Sequence, residues 1–150
     1  MRLEDLPEVA EIEGQSYLTP WPEGSFLECL REGHYCRVGE GDGGRVEAYA
    51  IMSVEVGVAH LLNICVREDL RGQGLARHLL SHLLAAVRPE AHTVILEVRA
   101  SNRRAIRLYK TMGFAQVSVR RNYYPGKEGR EDALILCCRL PQDGRRQSSR

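Results

Sequence analysis

The chain has 150 residues, of which 43% are hydrophobic and 27% are charged, a composition typical of a compact globular protein with one core of ordinary size. Its formal net charge of +1 excludes the strong positive field that draws many proteins to nucleic acid or to anionic membranes. We therefore expect no direct nucleic-acid partner and no membrane partner.

Three features of the chain bear on its location and on metal binding. The N-terminal segment "MRLEDLPEVAEIEG" is acidic and amphipathic, so it does not have the pattern of a secretory signal. No segment reaches the ~20 apolar residues of a membrane span. The five cysteines show neither zinc-ligand spacing nor a disulfide framework. These features predict a cytoplasmic protein that binds no metal.

The first half of the chain is predicted to contain two helices followed by three strands. Asp5 is a candidate cap for the first helix, which has Pro7 in its first turn, and Gly33 is expected to end the second helix. The loop "YLTPWPEG" separates them. An antiparallel meander follows, in which the turn "GEGDGG" joins the first two strands and Gly57 joins the last two. The predicted strands are "HYCRV", "VEAYAIMSVEV" and "VAHLLNICV".

The second half of the chain alternates between helical and strand patterns. Leucines recur at helical spacing from Leu75, the run "TVILEVRA" is rich in β-branched residues, and Asn102 is a good cap for a helix that ends at Gly113. Two closing strands, "FAQVSVRRNYY" and "DALILCCRL", flank the polar loop "PGKEGRE". The order ααβββαβαββ predicts one mixed α/β domain over residues 1–140, and the polar residues 141–150 are expected to be disordered.

A glycine-containing segment lies between the third strand and the third helix. Glycines let the backbone approach a ligand closely, and the helix that begins here presents free N–H groups with a positive dipole end. A pyrophosphate would fit such a cradle, although spacing alone also allows a tight turn with solvated arginines. The segment has neither the Walker pattern nor the dinucleotide-binding pattern. Its residues are Arg71, Gly72, Gln73, Gly74, Leu75, Ala76 and Arg77.

These residues resemble the Gcn5-related N-acetyltransferase (GNAT) family, whose motif Arg/Gln-x-x-Gly-x-Gly/Ala is matched by Arg71, Gly74 and Ala76. Within that family, the segments "LEVRASNRRAIRLYKTMGF" and "RRNYYPGKEGREDALIL" look like those of the bacterial ribosomal-protein-alanine acetyltransferases. The resemblance runs from about Leu3 to Leu140. It implies a mixed, mostly antiparallel sheet with splayed central strands, flanked by helices.

The resemblance also implies how acetyl-CoA is held. The co-substrate would lie in a wedge between "LLNICV" and "TVILEVRA", with its pyrophosphate on the amides of residues 72–77. Its pantetheine arm would pair with main-chain groups of the third strand, and Asn102 would contact it. The strand residues concerned are Ile64, Cys65 and Val66. Cys65 itself is expected to be a small packing residue, with a nearby backbone N–H for the oxyanion.

Two side chains are the candidate catalytic groups. Glu97 interrupts an apolar strand, where a carboxylate is costly unless it is paired or used. Spacing leaves open a salt bridge to Arg99 or another arginine, whereas the resemblance implies a general base. Tyr109 falls on an apolar helix stripe and could simply pack in the core. The resemblance implies that it protonates the departing thiolate.

The implied activity is transfer of acetyl from acetyl-CoA to the α-amine of an N-terminal alanine, as in small-subunit ribosomal protein eighteen. The peptide N-terminus would enter between the loop around Trp21 and the hairpin that carries Tyr123 and Tyr124. Acetylation of a small amine or a lysine side chain is the alternative within the same cofactor site. A non-catalytic acyl-CoA sensor is an alternative of another class, which the presence of both Glu97 and Tyr109 disfavours.

Two further groups of side chains have ordinary explanations beside functional ones. His78 and His82 lie one helical turn apart and could chelate a metal, but no acidic third ligand accompanies them, and a solvated face explains them better. The basic residues that follow Asn102 could steer the terminal ribose phosphate of the co-substrate or be a solvated face. They are Arg103, Arg104 and Arg107.

Overall fold

The computed structural model describes residues 1–142, which contain four α-helices and six β-strands in the predicted order. The helices are α1 (Leu6–Ser16), α2 (Glu23–Arg31), α3 (Leu75–Val87) and α4 (Arg103–Thr111), and the strands are β1 (Tyr35–Glu40), β2 (Val46–Glu55), β3 (Val58–Val66), β4 (Thr93–Arg99), β5 (Ala115–Gly126) and β6 (Gly129–Arg139). Most of the tail predicted to be disordered lies outside the described residues, so that expectation and the single-domain boundary stay predictions. No helix in residues 1–142 is long and apolar enough to cross a membrane.

The six strands form one sheet in the order β1-β2-β3-β4-β6-β5. Every neighbouring pair is antiparallel except β3 and β4, which run parallel because α3 carries the chain over one face of the sheet between them. The predicted meander β1-β2-β3 and the predicted mixed, mostly antiparallel sheet are therefore confirmed.

The two parallel strands separate after four rungs of the ladder. Val58–Leu61 of β3 pair with Thr93–Leu96 of β4, and beyond these rungs β3 stays with β2 while β4 stays with β6. The register of β2 against β3 shifts where Ile51 faces Asn63 and Met52 faces Leu61, which leaves Leu62 as a bulge. A bulge bends its strand and increases its twist. The splay thus opens at the bulge, as the family resemblance implied.

Two helical layers cover the sheet. Helices α1 and α2 bury apolar side chains against β1, β2 and β3, with Val9, Ile12 and Phe26 almost without exposure. Helices α3 and α4 cover the opposite face, where Leu80 and Leu83 are fully buried. Truncating one such leucine to alanine costs about 2–5 kcal/mol. The buried core includes side chains of β3 and β4 on either side of the splay.

The predicted signals at the start and end of α4 are confirmed, whereas the predicted cap of α1 is not. The Asn102 side chain accepts a 3.2 Å hydrogen bond from the backbone N–H of Ala105, and Gly113 follows the helix with a φ of 97°. Asp5 precedes α1, but its carboxylate accepts from the backbone N–H of Arg2 at 2.7 Å, closing a short 3₁₀ turn. Its predicted role as a side-chain cap of α1 is wrong.

The predicted boundaries of two turns need correction. Strand β1 continues to Glu40, two residues into the predicted turn "GEGDGG". The predicted loop "PGKEGRE" is mostly strand, since Tyr124 pairs with Glu131 and Pro125 pairs with Arg130, leaving only residues 127–128 as the turn. Proline is tolerated here because β5 is an edge strand, where a missing donor breaks no interior ladder.

Candidate active site

The glycine segment forms the start of α3 at the carboxyl end of β3. Gly72 and Gly74 have φ values of 83° and 84°, in the left-handed region that side chains with a Cβ disfavour. Gly74 is the residue before the helix, and as a glycine it provides no side chain to cap the first-turn amides of α3. Those N–H groups are the donors that an anion at a helix N-terminus uses. The local backbone therefore has the form of an anion cradle.

Three arginines surround this cradle, and two of them are tied to the protein. Arg71 donates to the carbonyl of Val66 and to Ser16 Oγ, each at 3.2 Å. Arg77 donates to Thr111 Oγ1 at 2.5 Å. A Cβ built on Gly72 would lie 2.9 Å from the Arg104 guanidinium, so that side chain reaches over the cradle. Arg71 and Arg77 are therefore not freely solvated, as the tight-turn alternative would have them.

A cleft of about 400 Å³ runs from the cradle along the edge of β3 that the splay exposes. It brings together ten of the eleven residues expected to contact acetyl-CoA, whereas Gln73 is not among the lining residues. The ten are Ile64, Cys65, Val66, Arg71, Gly72, Gly74, Leu75, Ala76, Arg77 and Asn102. A long ligand with an anionic centre fits this combination of cradle amides and a strand edge that pairs with no neighbouring strand.

A second pocket of about 260 Å³ lies on the other side of the splay. Glu97 and Tyr124 line it from the β4 and β5 side, and Trp21 lines it from the loop between α1 and α2. Tyr109 lines this pocket and also the cleft. Ile64, Asn102 and Tyr17 do the same, so the two spaces meet at a junction of four residues.

The Glu97 carboxylate is paired with a histidine. His60 Nε2 lies 2.6 Å from Glu97 Oε2. Arg99 is engaged elsewhere: its guanidinium donates to Glu131 at 3.0 Å and to the carbonyl of Pro125 at 2.8 Å. Hydrogen bonding from Ser101, and then from Arg99, lowers the pKa of the Glu131 carboxyl. The alternative of a Glu97–arginine salt bridge is therefore wrong for the described residues.

Tyr109 is a buried side chain that lines both cavities. Its side chain is 6% exposed, and its ring centroid lies 5.7 Å from that of Phe114. Burial, reinforced by the neighbouring Tyr124, raises the pKa of Tyr109 well above that of a free tyrosine. The phenol therefore keeps its proton near neutral pH and can act as a proton donor. Core packing and a chemical role are compatible for this side chain.

Residues 3–114 match the model of the acetyltransferase (GNAT) family. The chain belongs to this family. The bS18-alanine N-acetyltransferase of Escherichia coli strain K12 is 42% identical over 133 residues, which is 88% of this chain and 89% of that protein. GNAT acetyltransferases use acetyl-CoA as co-substrate, and the resemblance found in the sequence is confirmed.

Two solved structures give the same result for the fold. The ribosomal-protein-S18-alanine N-acetyltransferase from Escherichia coli superposes with a TM-score of 0.89 at 38% identity, covering 97% of this chain and 94% of that one. Naa20 from Chaetomium thermophilum, in complex with a bisubstrate analogue, superposes with a TM-score of 0.83 at 25% identity. The superposition covers 100% of this chain and 90% of that one. The six-stranded sheet with flanking helices is thus the GNAT fold.

The GNAT structure contains a buried carboxylate that sequence reasoning missed. Glu13, near the end of α1, is 2% exposed and accepts hydrogen bonds from the backbone N–H of Trp21, from Asn63 Nδ2, both at 2.9 Å, and from the Tyr49 hydroxyl. These bonds tie the loop after α1 to the bulged part of β3. The sequence did contain a signal for the burial of Glu13, because this residue lies one helical turn after Val9 and next to Ile12, on the apolar side of α1.

Tyr17 and His60 were also missed, and their roles depend on distant partners. The Tyr17 hydroxyl donates to the carbonyl of Ile64, and His60 contacts Glu97. The predicted histidine pair, by contrast, lies outside both cavities, with His82 Nε2 3.4 Å from Arg37 Nε. Within residues 1–142 there is no group of three or more His, Cys, Asp and Glu side chains that could hold a metal ion.

Proposed function

We propose that this GNAT enzyme transfers the acetyl group of acetyl-CoA to the α-amine of an N-terminal alanine, that of ribosomal protein bS18. The observation that carries the proposal is the junction at which Tyr109 borders both the cleft and the pocket that holds Glu97. The names of the relatives that cover most of the chain support the choice of bS18. A cytoplasmic location, where a ribosomal protein would be met, belongs to the same proposal.

Binding of acetyl-CoA is assigned to the cleft. The first-turn amides of α3 would hold the pyrophosphate, with Arg77 and Arg104 beside them. Main-chain groups of β3 from Ile64 to Val66 would pair with the amides of the pantetheine arm as an added strand does. Asn102 would contact the arm where the two cavities meet. When bound there, acetyl-CoA supplies an activated acetyl thioester.

The proposed chemistry uses two side chains of the chain to move protons at the nitrogen and at the sulfur. Glu97 takes a proton from the substrate ammonium, directly or through a water molecule, so that the nitrogen lone pair becomes free for the new N–C bond. After that bond forms, the nitrogen loses a second proton to solvent to become the amide, and Glu97 releases its own proton to solvent. Tyr109 gives its hydroxyl proton to the sulfur as the S–C bond breaks, and it regains a proton from solvent afterwards. The two groups line the same pocket from different elements, β4 and α4.

The acid–base chemistry of the substrate supports a terminal amine over a lysine side chain. A terminal α-amine has an unperturbed pKa of about 8, compared with about 10.4 for lysine. Near neutral pH the terminal amine is therefore neutral far more often and needs less help from a base. One partly enclosed carboxylate is sufficient for such a substrate. A peptide also carries amides that can pair with loop and strand backbone.

The proposal is tested by comparing three acceptors under the same conditions. The first is a peptide that begins with alanine and has a free terminus, the second is the same peptide with a blocked terminus and an internal lysine, and the third is a polyamine. Acetyl transfer is followed by mass spectrometry. We expect rapid acetylation of the free terminus and almost none of the other two. A faster rate with the lysine peptide or the polyamine would contradict the proposal of an N-terminal acceptor. Binding of acetyl-CoA without transfer to any amine would favour the alternative of a non-catalytic acyl-CoA sensor.

A further inference from the structure

His60 faces Glu97 across the point where β3 and β4 separate. In the parallel ladder His60 pairs with Ile95, and the last rung joins Leu61 to Leu96. Glu97 lies one residue beyond that rung, so the 2.6 Å contact between His60 Nε2 and Glu97 Oε2 bridges the opening diagonally. The side-chain contact thus continues where the backbone ladder stops.

The two partners of this contact differ in their relation to the second pocket, which we call the amine pocket. Glu97 lines the amine pocket, whereas His60 does not. The His60 side chain is 31% exposed and that of Glu97 is 19% exposed, so the histidine lies nearer to solvent. Glu97 Oε2 therefore faces His60, and the same side chain also borders the pocket. A glutamate has three rotatable side-chain bonds, and this contact limits their freedom.

The other charged neighbours of Glu97 do not perform this task. Arg99 lies two residues further along the same strand face, but it is bonded to Glu131 and Pro125, and its guanidinium carbon lies 4.5 Å from the centroid of the Tyr124 ring. Burial, and then the charge of Glu97, raises the pKa of Tyr124 to about 12. An arginine salt bridge would stabilise the ionised carboxylate and make it a weaker base. A neutral imidazole can donate one N–H and leave the carboxylate its charge.

We propose that His60 is a positioning residue for the base of the acetyl transfer: its Nε2–H donates to Glu97 Oε2 and holds Oε1 toward the amine. The inference rests on the proposed function, because it gives Glu97 the role of base. His60 contacts neither the amine nor acetyl-CoA, so its loss affects the chemical step without affecting substrate binding. Misplacing a reacting group by about 1 Å can cost roughly a hundredfold in rate.

The first test compares substitutions of His60 by steady-state kinetics with the alanine peptide. We expect His60→Leu to lower kcat by about tenfold to a hundredfold, with the KM values for peptide and acetyl-CoA unchanged. His60→Gln keeps an N–H donor and should restore most of the rate. His34→Leu is the matched control, because it removes a second His–Glu contact of 2.9 Å, to Glu32, outside both cavities. Wild-type kcat in His60→Leu, or equally low kcat in His60→Gln, would overturn the inference.

The second test does not depend on activity. Nitrogen-15 NMR of the free protein should show His60 with its proton on Nε2, protected from exchange with solvent. Glu97→Ala should remove that protection. A protected Nε2–H together with no transfer to the peptide would contradict the proposed function and leave the His60 contact standing. An Nε2 without a proton, or one equally exposed to solvent in both proteins, would contradict the inference even if the peptide is acetylated.

Discussion

The Tyr17 hydroxyl donates a 2.7 Å hydrogen bond to the main-chain carbonyl of Ile64. Tyr17 belongs to the loop between α1 and α2, and Ile64 lies on the edge of β3 that the splay exposes. Both residues line the acetyl-CoA cleft and the amine pocket. The bond therefore fixes the loop to the strand at the junction where the two substrates are expected to meet.

We expect Tyr17→Phe to raise the KM for the peptide by about twofold to tenfold, with a smaller change in kcat. The reason is the loss of one hydrogen bond worth about 0.5–1.5 kcal/mol in a loop that borders the pocket. Tyr35→Phe is a matched control, since the Tyr35 hydroxyl also donates a 2.7 Å bond, to Glu90, away from both cavities. Equal peptide KM values for the two variants would remove Tyr17 from the account of substrate binding.

Glu97→Gln keeps the shape of the side chain but removes its basicity, so kcat should fall by about a hundredfold or more. Tyr109→Phe should slow the same step by roughly a hundredfold, because the proton donor is lost while the ring still packs. Calorimetry should give unchanged acetyl-CoA affinity in both variants. Glu32→Gln, outside the cavities, serves as the control. Wild-type turnover in both Glu97→Gln and Tyr109→Phe would show that the two side chains contribute only to packing.

Gly74→Val should weaken acetyl-CoA binding by about tenfold or more, because a β-branched residue disfavours the left-handed backbone that presents the α3 amides. Gly43→Val controls for strain alone. Gly43 has a φ of 81°, has no atom within 4 Å of a built Cβ, as is true of Gly74, and lies in the turn before β2. Both variants should lose stability, and calorimetric titration should show lost affinity only for Gly74→Val. Equal affinity in the two folded variants would contradict the cradle.

Two buried tyrosines predict a steep loss of stability in alkali. Burial is the largest cause of the raised pKa values of Tyr49 and Tyr109; Cys65 and the bond to Glu13 add to it for Tyr49. Above about pH 10 the unfolded chain releases these protons while the folded chain keeps them, so the free energy of unfolding falls as pH rises. Each such tyrosine contributes a slope of about 1.4 kcal/mol per pH unit.

This prediction is checked by measuring the free energy of denaturant unfolding across alkaline pH. The wild-type free energy of unfolding should fall with rising pH, most steeply beyond about pH 10, where the unfolded chain releases its tyrosine protons. Tyr109→Phe should fall less steeply, because one of the retained protons is gone. Identical slopes for the two proteins would show that the Tyr109 proton is not held more tightly in the folded state.

The parts of the site that follow from local chemistry could be predicted from the sequence. Helix α3 begins directly after Gly74, as the glycine segment predicted, and Asn102 caps α4 as predicted. These features depend on residues within a few positions of one another, where capping and turn preferences apply. The family resemblance added the splay of β3 from β4, which no local pattern in either strand would have indicated.

The parts that depend on distant partners could not be predicted in this way. His60 and Glu97 are 37 residues apart, and Glu13 and Asn63 are 50 apart, so their contacts follow only from the assembled sheet and the packing of α1 on it. Most of the loop predicted at residues 125–131 is strand, because pairing between β5 and β6 outweighed the local preference of Pro125 and the glycines for a turn. In each case tertiary contacts decided between local alternatives.

Transfer to the N-terminal alanine is tested with full-length bS18, its N-terminus exposed, as the acceptor. The protein is incubated with acetyl-CoA and the enzyme, and the acetyl group is located by fragment mass spectrometry. We expect one added acetyl group, on the N-terminal nitrogen, and almost none when Glu97→Gln replaces the wild-type enzyme. Acetyl groups on lysine side chains, or N-terminal acetylation at the same rate by Glu97→Gln, would contradict it.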